Sequence, residues 1–200
     1  MDTEITIRSE QKTDCDAIRE VNDLAFGQKT EGILVESLRA TPCFIPELSL
    51  VAVLDDKIVG HILFYPININ NQNIKFDTLS LAPMAVRPEY QKKGIGGQLI
   101  KEGLKRAGEM GHESVIVLGH AGYYPRFVVQ PFCFSKLRLT IPGSIRLKPN
   151  CQSSFVKASQ FGIKAPFDCP DDAFMAIELK PGALKNVTGI VEYPKPYLDA

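Results

Sequence analysis

Two hundred residues, 44% hydrophobic and 23% charged, are enough for one sizeable globular domain with a core of its own. Lys plus Arg balances Asp plus Glu at 23 each, which argues against a nucleic-acid-binding surface as the main role of the chain. Apolar runs stay short of the roughly 18 residues of a membrane span, and the opening MDTEITIRSE is too polar for a secretory signal. Five cysteines without C-x-x-C spacing read as reduced thiols of a cytoplasmic protein, with no metal site expected.

Residues 4–8 alternate Ile5 and Ile7 with polar neighbours and predict a short first strand. Thr13 with Asp16 has the spacing of a capping box, opening a helix with Ala17, Ile18, Val21, Leu24 and Ala25 on one face and Gly27 as its stop. A second helix is expected from Thr30 through Arg39, with Leu34, Val35 and Leu38 inward and Pro42 ending the pattern. The two-proline segment 40–47 reads as a loop. Residues 48–54 and 57–65 are β-rich runs joined by Asp55-Asp56, a hairpin signal, and 68–73 is a polar turn before a long strand over 74–86. A turn opened by Pro88 leads into the glycine-rich loop 91–97. The helix after it carries Leu99, Ile100, Gly103, Leu104 and Ala107 on one stripe and ends at Gly111. Residues 114–118, SVIVL, read as a buried strand, 123–127 as a short helix, and 133–140 as a further strand. The proline-rich tail 141–200 holds one apolar run, 173–179, able to pair with the main sheet or with a partner chain.

The loop 91–97 is the chemical centre of the sequence. Glycines feeding a helix start expose several main-chain N–H groups at the positive end of the helix dipole, which makes an anion site. Gly94, Gly96 and Gly97 permit close approach, and Lys92 and Lys93 add positive charge. The run lacks the G-x-x-x-x-G-K-[ST] of a P-loop, so a kinase- or NTPase-like reading has no Walker lysine. It also puts Leu99 where the dinucleotide fingerprint needs its last glycine. What it matches is Q/R-x-x-G-x-G/A, in Gln91, Lys92, Lys93, Gly94, Ile95, Gly96 and Gly97, preceded by the strand M-A-V-R-P-E-Y. This resembles the acyl-CoA-binding motif of the GNAT superfamily of N-acetyltransferases.

The resemblance covers roughly residues 4–140 and implies an α/β fold of mixed α+β type, a central mixed sheet flanked by helices. It implies a domain over 1–140, with 141–200 an extension packed on it and similar to the C-terminal piece of a bacterial subgroup. The implied cofactor is acetyl-CoA as co-substrate, its pyrophosphate on the loop amides. The implied thioester-carbonyl donor is a main-chain N–H at Met84, Ala85 or Val86, because Pro83 has none to give. Tyr124, in a Y-x-R context that matches the family's Y-x-K/R-x-G-F except for Val128 and Val129, is the implied general acid toward the thiolate, with Tyr123 as the neighbour that could serve instead. A primary amine of pKa about 10.4 is only about one part in two thousand neutral at pH 7, so a proton must also be removed. The position of the catalytic Glu in histone-acetylating relatives falls on Ser80; Glu47, Asp77, His61, His112 and His120 are the other groups considered, beside a water relay. The expected activity is direct acetyl transfer to a primary amine of a small molecule or a protein, with no nucleic-acid or membrane partner and a homodimer as a possible assembly. The alternative is a non-catalytic acyl-CoA-binding sensor or scaffold.

Overall fold

A computed structural model describes residues 4–129 and 153–198. The order is β1 (Thr6–Ser9), α1 (Cys15–Phe26), α2 (Thr30–Arg39), β2 (Ser49–Leu54), β3 (Lys57–Asn71), β4 (Ile74–Val86), α3 (Ile95–Glu109) and β5 (Ser114–Leu118). Four two-residue strands follow, β6 (Val128–Val129), β7 (Ser153–Ser154), β8 (Val156–Lys157) and β9 (Ile163–Lys164). Then come β10 (Phe174–Glu178), β11 (Gly189–Glu192) and the single turn α4 (Lys195–Leu198). The strand expected over 133–140 lies outside the described residues. No helix among the described residues is long and apolar enough to cross a membrane.

The main sheet runs β1-β2-β3-β4-β5-β10-β8, with β11 on β3 and β9 on β11. It is mixed: β4–β5 and β9–β11 are parallel and the other pairs antiparallel. The apolar run of the tail pairs in full register with β5, from Phe174 opposite Leu118 to Glu178 opposite Ser114. The C-terminal segment is thus woven into the same sheet.

Each face of the sheet has its own core. On one lies α3, whose Leu99, Ile100, Leu104 and Ala107 are buried against Val59, Phe64, Leu81 and Val115. Gly103 sets its depth, since a Cβ there would come within 2.1 Å of the Phe64 ring. On the other lie α1 and α2, with Ile18, Val21, Leu34, Val35 and Leu38 over Val51, Leu63, Tyr65 and Ala85. Removing each large aliphatic side chain from water contributes roughly 1.5–3 kcal/mol.

Three local expectations change. The turn between β3 and β4 is Gln72-Asn73, both left-handed, and β3 continues through Asn71. Asn68 and Asn70 are held extended by β11 on the strand edge and by their own side chains, which donate to Asp77 at 2.8 Å and Glu192 at 2.6 Å. A distant partner here outweighs the turn preference of Asn. The start of α1 is organised by Asp14, whose carboxylate accepts the Gln11 N–H at 2.7 Å and pairs with Arg8; Thr13 and Asp16 do not form the box. Leu24, expected inward, is 45% exposed, because the buried stripe of α1 is Ile18, Val21 and Asn22.

One polar chain runs through the α1/α2 face. The Asn22 amide donates to the Ile18 carbonyl and to Nδ1 of His61, at 2.8 and 3.2 Å. Nε2 of His61 then donates to Ser49 Oγ at 3.0 Å, Ser49 donates to Glu10, and Glu10 is held by Arg39 at 2.6 Å. This order needs a neutral imidazole, and complete burial, helped by the Arg39 charge, lowers the His61 pKa to about 3. An unfolded chain protonates His61 below about pH 6.5 while the folded chain does not. The stability this confers is therefore present above pH 6.5 and is lost as pH falls toward the folded value. Denaturant titrations between pH 6.5 and 4 should show His61 withdrawing up to about 1.4 kcal/mol per pH unit. That slope should be absent from a His61→Gln variant measured over the same range.

Candidate active site

β4 and β5 pair only at Leu79–Val115 and Ser80–Ile116 and then diverge, leaving the rest of β4 with β3 on one edge and a gap on the other. Just past the split the β3–β4 ladder is irregular. Phe64 faces Leu81 and Ile62 faces Met84, so Leu63 spans Ala82 and Pro83, joined by a cis peptide. Such a bulge bends its strand and re-aims main-chain groups, and Pro83 removes one N–H from the row. Met84 is half-buried, Ala85 packs on the α1/α2 core and Val86 on the α3 core. What these three can offer a ligand is therefore chiefly main chain along the gap.

The end of β4 is clamped. Arg87, 6% exposed at its side chain, donates to the Ile58 carbonyl at 2.9 Å and forks onto Glu20 of α1 at 3.0 and 2.6 Å. The Gln91 side chain donates to the Val86 carbonyl at 3.0 Å, so this motif residue ties the loop back to β4. Lys92 takes a left-handed φ of 60° and Gly94, at the helix N-cap, one of 85°. No side chain caps the helix, and among the described residues no protein acceptor is found for the N–H groups of residues 92–97. Ile95 is buried, leaving only its amide to the loop; Lys92 and Lys93 are exposed, with the Lys93 ammonium 5.0 Å over the Tyr90 ring.

The turn after β5 brings aromatic rings onto this loop. A Cβ at Gly96 would lie 2.8 Å from the Tyr123 hydroxyl and 3.2 Å from Met84 Sδ, and one at Gly97 would lie 3.2 Å from the Phe127 ring. The glycines are thus required on both sides, for ligand approach in the sequence reading and for ring packing in the fold. Tyr123 is half-buried beneath the Arg126 guanidinium, 4.0 Å over its ring. Tyr124 is buried against Gly119 and Phe155, and burial beside Tyr123 pushes its phenol well above the usual range. Stacking of Arg126 carried no local signal beyond the Arg of Y-x-R.

The other groups considered for proton removal are scattered. His61 is the neutral core residue described above; His112 is half-buried after α3, with its pKa lowered by burial. Asp77 is exposed and engaged by Asn68; Glu47 is exposed in the 3₁₀ turn Pro46–Leu48, and His120 in the loop after β5. Ser80 is buried at the split. Among the described residues no group of three or more His, Cys, Asp or Glu is gathered as metal ligands would be.

Against this geometry the comparisons with known proteins are direct. The sequence profile of the Acetyltransferase (GNAT) family matches residues 18–124. The Escherichia coli K12 uncharacterized N-acetyltransferase YjhQ is 44% identical over 126 residues, spanning 63% of this chain and 70% of YjhQ. The crystal structure of the E. coli GNAT family N-acetyltransferase YhbS in complex with CoA superposes with a TM-score of 0.79 at 26% identity, covering 99% of this chain and 94% of that one. A GNAT family acetyltransferase from Brucella melitensis in complex with acetyl-CoA gives 0.66 at 27%, covering 98% and 99%. The chain belongs to the GNAT family and is an acetyltransferase.

The Arg87 clamp is asymmetric, since Glu20 is 57% exposed and Arg87 is not. Glu20→Gln leaves a buried guanidinium short of its carboxylate and should cost about 1–3 kcal/mol in denaturant unfolding. Adding Arg87→Met removes the buried charge and should recover part of that loss, which a double-mutant cycle reads directly.

Proposed function

We propose that this enzyme is an acetyl-CoA-dependent N-acetyltransferase that moves the acetyl group directly to a primary amine of a small molecule or a protein. The observation that carries the reading is the uncapped N-terminus of α3, opening beside the gap between β4 and β5. The amides of residues 92–97 would hold the pyrophosphate, in charge-assisted bonds of about 1.5–3 kcal/mol each. Lys92 and Lys93, both exposed, would add only screened attraction. When bound, acetyl-CoA supplies an activated acyl group as a thioester.

The protein's own part is orientation and proton handling. The edge of β4 at Met84, Ala85 and Val86 offers main-chain N–H groups to a carbonyl oxygen, in a site already shaped before the reaction. Tyr124, whose raised pKa keeps the phenol protonated at neutral pH, is the proposed proton donor to the departing sulfur. The titratable groups considered for proton removal are scattered over the fold, so a water relay along main-chain groups would take the proton from the amine. Relatives solved in complex with CoA and with acetyl-CoA support acetyl-CoA as the acyl donor.

Binding and chemistry separate experimentally. Acetyl-CoA, and not ATP, should raise the melting temperature of the full chain. Thiol release should rise in the presence of an accepted amine. Tyr124→Phe should lower kcat by about 10²-fold or more with the acetyl-CoA KM little changed. Loss of kcat in Tyr123→Phe instead would move the donor by one residue. Acetyl-CoA binding with no amine raising thiol release above hydrolysis would identify an acyl-CoA-binding sensor.

A further inference from the structure

On the α1/α2 face of the gap lies an aromatic cluster assembled from distant parts of the chain. Tyr65 of β3 has its hydroxyl bonded to Thr41 at 2.7 Å and its ring edge-on to Tyr197 of α4, 6.1 Å between centroids. Tyr193 lies 5.0 Å from Tyr197 and stacks on Phe167 at 6.0 Å and 25°. The Tyr197 hydroxyl donates to the carbonyl of Ala82, at the bulge where β4 parts from β5. Burial raises the Tyr193 phenol to about 12 and that of Tyr197 further, against the opposing pull of the Ser80 hydroxyl. The Tyr193 and Tyr197 phenols therefore stay protonated at neutral pH.

The cluster is held in place rather than draped. β11 pairs with β3 from Ile190–Asn70 to Glu192–Asn68, which delivers Tyr193 directly after the paired strand. Phe167 is 44% exposed at its rim, and Tyr193 and Tyr197 keep part of their surface in solvent. Among the described residues the protein cations that lie over rings are Lys57, Lys93 and Arg126, at Tyr90, Tyr123 and Phe127, and none faces this cluster. Tyr65, 2% exposed, backs the cluster, so what it can offer a cation or a flat apolar group from outside is Phe167 and the solvent-facing parts of Tyr193 and Tyr197.

Resting on the N-acetyltransferase reading, we infer that Phe167, Tyr193 and Tyr197, backed by the buried Tyr65, form the acceptor subsite, and that the acceptor is a primary amine carried on an aromatic or apolar body. A thioester held from the α3 side presents its carbonyl in the gap, so the amine arrives from the opposite face, where Tyr197 touches Ala82. A polyamine would need carboxylates to hold its further charges. Those near the cluster along the chain are Asp168, exposed at the rim, and Glu192, already engaged by Lys75 and Asn70. Tyr193 and Tyr197 are thus specificity-determining residues contributed by the C-terminal segment.

The test uses the full chain and reads two bindings separately. Coenzyme A affinity by calorimetry reports on the cofactor site alone, and its absence would overturn the transferase reading. Saturation-transfer NMR then measures 2-phenylethylamine, butylamine and spermidine on the coenzyme A-loaded protein. The inference expects 2-phenylethylamine to bind at least tenfold more tightly than either of the others. Tyr193→Ala and Tyr197→Ala should each erase most of that preference while coenzyme A affinity stays within about twofold. Tyr197→Phe, which keeps the ring and should fold, should retain the preference. Equal affinities for the three amines, or a preference unmoved by Tyr193→Ala with coenzyme A binding intact, would overturn it.

Discussion

Main-chain pairing between β4 and β5 holds Leu79 to Val115 and Ser80 to Ile116 and then stops, while β3 continues to pair β4 as far as Val86. Two residues, Ala82 and Pro83, sit opposite Leu63, and one of them has no N–H. A sheet that is continuous on one edge of β4 and open on the other presents a row of polar main-chain groups inside an otherwise apolar core. Such groups are costly to bury without partners. In the proposed reading, the acyl-CoA would run through the gap and supply what β5 withdraws.

The gap works only if its walls are stiff, and the fold fastens each of them. Arg87 bolts the end of β4 to Glu20 of α1, and Gln91 ties the loop back to Val86. Gly103 lets α3 settle onto Phe64, which fixes where the helix begins and where its amides point. On the other side of β5 the tail strand β10 satisfies the edge that would otherwise be exposed. Without it, β5 would face solvent just where it has to stand apart from β4.

The two faces of the sheet have taken on different chemistry. The α3 face brings uncapped amides and surface lysines beside Tyr123 and Phe127, a setting for a polyanion. The α1/α2 face is aromatic near the gap, and deeper in it carries the His61 chain, linked from Asn22 through His61 and Ser49 to Glu10 with the Asn22 Oδ1 left unpartnered among the described residues. A buried imidazole in that chain is a structural element and not a base. Burial and the Arg39 charge keep it from accepting a proton at any pH where the enzyme would work.

Much of this was legible in the chain alone, wherever the cause was local. The bounds of α2, the Asp55-Asp56 hairpin, the strands 74–86 and 114–118, and the glycine loop before α3 follow from turn residues, periodicity and capping within a few positions of each other. What the tertiary structure decided are contacts whose partners lie far apart along the chain. β3 runs through its asparagines because β11, more than a hundred residues later, pairs its edge; Tyr197 reaches Ala82; and Asn22, His61, Ser49 and Glu10 meet from four separate segments. Local pattern encodes which elements form, because propensity acts over a turn or two. Which side chains face one another across a sheet depends on packing the whole chain at once.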